Sequence, residues 1–415
     1  MIKPLSIYIH VPFCVKKCLY CDFLSFPATK ALMERYLEAL KREIKLSGNK
    51  YSESEVTTIF LGGGTPSYPD ADFVISVMEE LRSNFTISSD AEISMEMNPG
   101  TESKEKLLKY RAAGINRLSI GCQSLNDNEL HEIGRIHTSK DFYRCFQDAR
   151  DAGFDNINID IMSALPGQNT ASYHDTLSKV VALKPEHVSA YSLIIEPGTE
   201  LYNRYGDTSI KDLYDVDDTS AKQNGLSNMK LSYPLLPSED DERAMYYDSV
   251  NTLSGNGYHR YEISNFALNG ESDNFEKYEC RHNEVYWRRG DYIGFGIGAA
   301  SFVSNMRFSN IRDIDKYLLF NSLDDIHTDV QKLTIHDQME EFMFLGFRMS
   351  QGVSFSEFEK YFHFNLRTIY GKVIDRFIDE GLLEETSTNL RLTDKGIDVS
   401  NFVMAQFLFD DEVGD

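Results

Sequence analysis

The chain has 415 residues, of which 41% are hydrophobic, and a formal net charge of −23 at pH 7. This charge argues against a nucleic-acid partner, which requires a basic surface, and no apolar run approaches the roughly 20 residues that a membrane-spanning helix needs. Six cysteines, half of them in one loop, and a first strand that leaves no room for a signal peptide indicate a cytoplasmic protein that is not an integral membrane protein.

The first half of the chain alternates strand-like and helix-like segments. Strands are predicted at residues 6–11, 56–61, 92–98, 117–122, 156–162 and 187–195. Helices are predicted between them at residues 30–46, 71–84, 104–113, 140–152 and 171–183. Six strands separated by helices predict parallel βαβ units with right-handed crossovers, and therefore a doubly wound sheet or a barrel.

Three of the predicted strands alternate polar and apolar residues, so that each places its polar side chains on one face. Because strands covered by helices should be apolar on the helix side, the polar faces should line an interior. Glu96, Gln123 and Asp160 lie near the carboxyl ends, where parallel barrels gather their chemistry, although a polar network without a ligand would have the same pattern. We predict an α/β fold: an incomplete (β/α)6 barrel followed by a smaller α+β or helical C-terminal domain.

A loop directly after the first strand contains Cys14, Cys18 and Cys21 in a C-x3-C-x2-C pattern. Three thiolates so close together suit a soft metal site. A structural zinc ion takes four ligands, whereas three thiolates leave one iron of a [4Fe-4S] cluster open to bind a substrate or cofactor. A zinc ion shared with His10, or partial disulfide bonding, remains an alternative on these residues alone.

The second strand runs into Gly62-Gly63-Gly64-Thr65-Pro66. Glycines at such a position let the backbone approach a ligand closely and offer it N–H and C=O groups. The spacing matches neither a P-loop nor a dinucleotide-binding fingerprint.

The cysteine pattern followed by G-G-G-T-P resembles the radical S-adenosylmethionine (SAM) superfamily. The resemblance implies that Cys14, Cys18 and Cys21 hold a [4Fe-4S] cluster whose open iron chelates SAM. The segment Y-I-H-V-P-F-C at residues 8–14 resembles the oxygen-independent coproporphyrinogen III oxidase family more specifically. Further similar motifs are S-M-E-M-N-P-G at 94–100, R-L-S-I-G-C-Q-S at 117–124, G-R-I-H at 134–137, I-D-I-M-S-A-L-P-G-Q at 159–168 and I-E-P-G-T at 195–199.

By position, the resemblance also implies a set of SAM contacts. Glu96 would hold the ribose hydroxyls, Arg135 the carboxylate, and the backbone near Tyr20 the adenine. The other implied contacts are Tyr8, Gly63, Gly64, Thr65, Gln123 and Asp160. These roles suit the chemistry, because hydroxyls need acceptors and a guanidinium matches a carboxylate.

Two features resemble the HemW branch of this family, which is regarded as a group of haem chaperones. The oxidases have a further cysteine two places after the third ligand, where this chain has Phe23, and they have an extended segment before the first strand. His-Asn-x-x-Tyr-Trp at residues 282–287 is similar to the motif associated with haem binding in that branch. His282 would then be a candidate ligand of haem iron, whereas Tyr286 and Trp287 could equally pack a core around a hydrogen-bonded His282.

We predict four segments. Residues 1–225 form the barrel, 226–330 flank it and contain the HNxxYW motif, 331–405 form a small helical, winged-helix-like domain, and 406–415 form an acidic tail. A winged helix raises the possibility of DNA binding, but residues 331–415 contain eight Lys and Arg against sixteen Asp and Glu, so a packing or partner-docking role is favoured.

The function implied by the resemblance is that of a haem chaperone. It would bind haem and hand it to an acceptor haem protein, either soluble or membrane-bound, with a [4Fe-4S] cluster and SAM in the barrel. No catalytic residue is assigned, and whether SAM is cleaved stays open. The alternatives are oxidative decarboxylation of coproporphyrinogen III and radical opening of haem.

Overall fold

The structure, a computed structural model, describes residues 3–206, 233–271 and 274–409. Six parallel strands form the centre of its large sheet: β1 (Lys3–Val11), β2 (Ser54–Gly63), β3 (Thr86–Met97), β4 (Arg117–Gln123), β5 (Ile157–Ser163) and β6 (His187–Ser192). Six helices connect them: α1 (Lys30–Gly48), α2 (Ala71–Asn84), α3 (Lys104–Ala112), α4 (Asp127–Glu132), α5 (Ser139–Asp151) and α6 (Thr170–Ala182). All the strands and helices predicted for this half are present, with bounds that differ by a few residues.

Sequence signals explain where the helices begin and which way the strands face. Thr29, Ser103 and Asn169 cap α1, α3 and α6, each accepting a hydrogen bond from a backbone N–H of the first turn. On the strands, apolar side chains such as those of Ile59 and Ile120 are fully buried in the core shared with the helices. The polar set faces the opposite way, into the concave side of the sheet.

Further strands extend the sheet at both edges, and the sequence predicts only one of them, a glycine-spaced strand at residues 291–298. After α7 (Glu200–Tyr205) and α8 (Glu239–Gly255) come β7 (Tyr258–Arg260), β8 (Asn265–Leu268), α9 (Arg281–Trp287), β9 (Tyr292–Phe295), β10 (Ala300–Val303), β11 (Met306–Asn310), α10 (Ile314–Leu319) and β12 (His327–Lys332). The sheet order is β12-β11-β10-β9-β1-β2-β3-β4-β5-β6-β8-β7. Because β12 and β7 are its two edges, the barrel is open, as the sequence predicts.

The C-terminal part has its own hydrophobic core, which extends from Met339 to Phe407. It contains α11 (Ile335–Gly346), β13 (Val353–Ser354), α12 (Phe355–Phe362), α13 (Leu366–Asp379), β14 (Leu383–Glu385), β15 (Asn389–Leu392), α14 (Asp394–Asp398) and α15 (Ser400–Ala405). The three strands form a separate sheet. The predicted boundary at 225/226 and the end of the acidic tail lie outside the described residues, and the domain limits stay predictions.

Ion pairs join this C-terminal part to the barrel. Glu262, which is fully buried between β7 and β8, lies 3.4 Å from Arg348. Glu341 on α11 lies 3.2 Å from Arg289 and 2.8 Å from Arg307. Paired buried charges are strongly destabilising when one partner is removed, so these contacts fix how the two parts pack. None of the helices in the described ranges has the length and apolar character to traverse a bilayer.

We expect Glu341→Ala to lower the free energy of unfolding by about 2–3 kcal/mol, because it leaves the buried guanidinium of Arg289 without its carboxylate. Urea unfolding followed by the fluorescence of Trp287, the single tryptophan, measures this at the interface itself.

The matched control is Asp394→Ala. Asp394 also joins the two parts, through Arg260 at 2.9 Å, but its side chain is 80% exposed, whereas that of Glu341 is 7% exposed. An exposed pair contributes less than about 1 kcal/mol. Equal destabilisation by the two substitutions would contradict the account of the interface.

Candidate cluster and cofactor site

The cysteine loop between β1 and α1 is held from both sides by backbone hydrogen bonds. Cys14 N–H donates to Phe26 O at 3.1 Å, and Phe26 N–H donates to Pro12 O at 2.9 Å. On the other side, Thr65 N–H donates to Phe13 O at 2.8 Å. The loop is therefore fastened to the glycine-rich turn after β2.

A cavity of about 420 Å³ opens at the carboxyl ends of the parallel strands. It brings together eleven of the thirteen residues that the sequence singled out: Cys14, Cys18, Tyr20, Cys21, Gly63, Gly64, Thr65, Glu96, Gln123, Arg135 and Asp160. Tyr8 and His282 do not line it. The size is in the range of small-molecule and cofactor sites.

The three cysteines are free thiols on the cavity wall. Thr65 Oγ1 lies 3.4 Å from the sulfur of Cys14, and a guanidinium nitrogen of Arg135 lies 3.8 Å from that of Cys18. Burial raises the pKa of Cys14 and of Cys21, so a cationic centre is what would make them thiolates. The cavity wall thus offers the donor set that a three-cysteine iron–sulfur cluster needs.

A single zinc ion fits these residues less well. With Zn–S bonds of about 2.3 Å, tetrahedral ligand atoms come within about 4 Å of one another. In the part of the chain that the structure describes, no three His, Cys, Asp or Glu side chains converge in this way. His10 is also engaged, with Nε2 2.8 Å from Leu24 O and Nδ1 3.1 Å from the hydroxyl of Tyr8.

The glycines after β2 are needed for close approach. Gly63 has φ +111°, and a Cβ there would lie 2.5 Å from the ring of His10. A Cβ on Gly64 would lie 2.9 Å from the backbone of Phe13 in the cysteine loop. A side chain at either position would therefore push the two loops apart.

The carboxyl groups of Glu96 and Asp160 both line the cavity. Glu96 accepts a hydrogen bond from Gly63 N–H at 3.0 Å, and burial together with the charge of Asp160 raises the pKa of Glu96 to about 7. Asp160 accepts hydrogen bonds from Asn158 at 2.7 Å and Ser119 at 3.1 Å, while burial raises its pKa. Gly63 N–H is the one hydrogen-bond donor to Glu96 among the described residues, and ligand hydroxyls would supply more.

Three cations line the cavity: Lys16 and Lys17 are exposed, and Arg135 lies deeper. Its Nη2 donates to Asn98 Oδ1 at 2.7 Å and to Gly121 O at 2.5 Å. Its Nε is buried without a partner among the described residues. A buried guanidinium with an unused donor fits an anionic group of a ligand.

Tyr191 also lines the cavity, where it donates a hydrogen bond to Gln123 Oε1 at 3.0 Å, and the sequence analysis did not assign it to the site. Its signal is the polar alternation of β6, which runs through His187, Ser189 and Tyr191. Asn98, Ser119 and Gly121 line the cavity as well, on the polar strand faces that the sequence predicts to line an interior.

Tyr8 lies below the cavity, with its hydroxyl on His10 and its ring 6.4 Å from that of Phe60. His282 lies deeper still, under the amino-terminal half of the barrel interior. It is 1% exposed and stacks on Phe60, with ring centroids 5.2 Å apart. The structure therefore separates these two residues from the cluster cavity.

Both ring nitrogens of His282 are engaged. Nδ1 lies 2.7 Å from Thr58 Oγ1 and Nε2 lies 2.8 Å from the hydroxyl of Tyr286. The backbone N–H groups of Arg281 and His282 both donate to the carboxylate of Glu92 at 3.1 Å. Iron ligation by His282 stays a prediction, and in this arrangement it requires both ring hydrogen bonds to break.

An open parallel barrel with three cysteines above it defines the class of radical SAM proteins. The sequence profile described as Radical SAM superfamily matches residues 8–180, and that of the HemN C-terminal domain matches residues 333–399. A Bacillus subtilis protein named heme chaperone HemW is 34% identical over 97% of this chain and 99% of its own length. The HemW protein of Lactococcus lactis is 33% identical over 99% of this chain and 98% of its own length. That of Escherichia coli is 31% identical over 98% of this chain and 99% of its own length.

The chain belongs to the HemW family. Among solved structures, coproporphyrinogen III oxidase (HemN) from Escherichia coli, described as a radical SAM enzyme, is similar with a TM-score of 0.79 and 23% identity. The likeness covers 98% of this chain and 90% of that one. At 23% sequence identity, this likeness shows only that the two proteins share a fold.

We expect Cys14→Ala, Cys18→Ala and Cys21→Ala each to reduce the iron and acid-labile sulfide bound after anaerobic reconstitution to a small fraction of the wild-type value, since each removes one of three thiolate ligands. Cys145→Ala, at a buried cysteine of α5 outside the cavity, should leave the iron content unchanged. A full cluster in all three loop variants would disprove the assignment.

We expect Glu96→Gln to weaken SAM binding about tenfold or more, because ligand hydroxyls lose a charged acceptor. The same substitution should stabilise the cofactor-free protein above pH 7. The unfolded chain releases the Glu96 proton near pH 4.5 and the folded chain only near pH 7, so stability from this group is lost as the pH rises through that window.

Equilibrium dialysis of SAM and thermal unfolding at pH 5 and pH 8 measure the two effects. Glu79→Gln, at an exposed carboxylate of α2, is the control and should change neither. A Glu96→Gln protein that binds SAM like the wild type would exclude Glu96 as a ligand contact.

Proposed function

We propose that this protein binds haem and passes it to an acceptor haem protein in the cytoplasm or at a membrane, while its barrel holds a [4Fe-4S] cluster and SAM. The observation that supports this most is the match over nearly the whole chain to proteins named heme chaperone HemW. A match to the barrel alone would indicate only the radical SAM class.

The cavity residues suit the two cofactors. The three thiols would hold the cluster, and reductive cleavage of SAM is the chemistry that such a pair supplies when bound. Arg135 presents a buried donor to the SAM carboxylate, and Glu96 an acceptor to the ribose. Gly63 and Gly64 have no side chains, so their backbone atoms would be able to contact the amino group of SAM directly.

Phe23 favours the chaperone over the oxidase. It lies on the cavity rim and is 65% exposed, at the position where the oxidases have an additional cysteine. A phenyl ring offers neither a ligand nor a proton donor to a substrate at the mouth of the barrel. It does offer an apolar surface.

We expect the purified full-length protein to bind haem with a saturating, fixed stoichiometry and to deliver it directly. The haem-loaded protein is mixed with membrane vesicles from haem-depleted cells, and haem in the vesicle fraction is followed with time. Direct transfer makes the rate rise with vesicle concentration, because a complex between donor and acceptor must form.

Haem bound to serum albumin is the matched control, since its transfer is limited by dissociation and should not depend on vesicle concentration. The absence of saturable haem binding, or a transfer rate independent of acceptor concentration, would contradict the proposal.

A further inference from the structure

A second cavity, of about 910 Å³, lies at the other end of the barrel from the cysteines. Lys3 and Leu5 at the start of β1, and the segment 50–54 leading into β2, form one side. The hairpin of β10 and β11 and the edge strand β12 form the other. None of the residues predicted to bind the cluster or SAM lines it.

Six apolar or aromatic residues and nine polar or charged residues line the cavity. Tyr51 and Phe308 are buried beside the cavity, and Val303, Met306 and Val330 complete its apolar lining. Val330 is 60% exposed on the edge strand β12. A cavity of this size that is part apolar and part charged suits a large amphipathic ligand, such as a porphyrin with its two propionates.

His327 at the start of β12 lines the same cavity. Its ring packs against Phe308, with centroids 4.4 Å apart, and neither ring nitrogen has a hydrogen-bond partner among the described residues. Burial, followed by the charge of Lys50, lowers its pKa, so the imidazole is neutral at pH 7 and a nitrogen lone pair is available.

The other histidines are less suited to bind iron. Seven of the ten have hydrogen bonds to at least one ring nitrogen: His10, His131, His137, His174, His187, His259 and His282. Of the remaining three, His336 stacks on Phe409 and His363 ends α12, whereas His327 faces a cavity of ligand size.

We propose that this second cavity holds the porphyrin of haem and that His327 is the ligand of its iron. The inference rests on the proposed haem-binding function and assigns it a site. A neutral imidazole beside an aromatic wall is the arrangement by which proteins hold haem from one side.

The charges at the cavity orient the porphyrin. Lys3 and Lys50 are exposed at its mouth and can pair with the two propionates while both remain hydrated. Glu53, Asp291 and Asp324 also line the cavity, and Glu53 belongs to the same segment as Lys50. Propionates would therefore fit only where they reach the two lysine ammonium groups. Asp291 accepts a hydrogen bond from the N–H of Ser304 at 2.9 Å.

This site also connects the HNxxYW motif to haem without direct contact. The turn after α9 contains Arg289 and Asp291. Arg289 donates to Asn305 Oδ1 at 3.2 Å, and Asp291 accepts from Ser304 N–H, so both hold the turn between β10 and β11. Substitutions in α9 would displace that turn and the cavity wall.

The test is a spectroscopic titration of the full-length protein with haem and, in parallel, with metal-free protoporphyrin IX. We expect His327→Ala to weaken haem binding about tenfold or more and to change the haem spectrum, while protoporphyrin IX binding changes less than about twofold, because only iron uses the imidazole. Added imidazole should restore the haem spectrum.

Val330→Arg provides a second, exposed variant that blocks the cavity mouth, and it should weaken the binding of both porphyrins. His336→Ala and His363→Ala are the matched controls and should bind both as the wild type does. Retention of the [4Fe-4S] absorbance shows that each variant is folded.

Unchanged haem binding and an unchanged spectrum in His327→Ala would overturn the site, as would loss of the haem spectrum in His282→Ala while His327→Ala retains it. In either case the wild type still binds haem and the proposed function stands. A wild type that binds no haem would instead remove the proposed function itself.

Discussion

Buried charge is the constraint on which this structure depends. The concave face of the sheet carries Glu92 and Glu96 on β3, Arg117 on β4 and Asp160 on β5; Glu92 and Arg117 are buried, and Glu96 and Asp160 are half-buried on the cavity wall. Ionised groups inside a protein must be paired or hydrogen-bonded, and the two ends of the barrel meet this requirement differently. At the carboxyl end the donors are incomplete and a cavity remains for ligands. At the amino end the chain itself supplies donors to Glu92, whereas Nε of Arg117 has no hydrogen-bond partner among the described residues.

The HNxxYW motif forms the floor at that amino end. Two backbone N–H groups of α9 donate to Glu92, and His282 fills the space against Thr58. From the same short helix, Trp287 packs under the guanidinium of Arg348, 4.3 Å from its ring, in the C-terminal part. The motif therefore links the barrel interior to the C-terminal part. This accounts for a set of polar and aromatic residues in close sequence without assigning each of them to a ligand.

The sequence predicts the parallel half of the sheet well because burial on one face and polarity on the other impose a period of two that is visible in β3, β4 and β5. The thiol, glycine and carboxyl residues of the cavity are likewise found from their motifs. β12 could not be predicted: His327-Thr328-Asp329-Val330-Gln331-Lys332 is an exposed edge strand, and nothing in it alternates between core and solvent. The position of His282 depends on Glu92, 190 residues earlier, so only the folded chain shows that it faces inward.

The central claim is that a radical SAM barrel here serves haem delivery rather than porphyrinogen oxidation. The most direct measurement is anaerobic incubation of the reconstituted protein with reductant, SAM and coproporphyrinogen III, followed by mass spectrometry, with 5′-deoxyadenosine measured in the same sample. The account predicts no doubly decarboxylated product above the control without SAM, from a protein whose cluster is intact and which binds haem. Product formed at many turnovers per chain would contradict it and make this protein an oxidase despite Phe23.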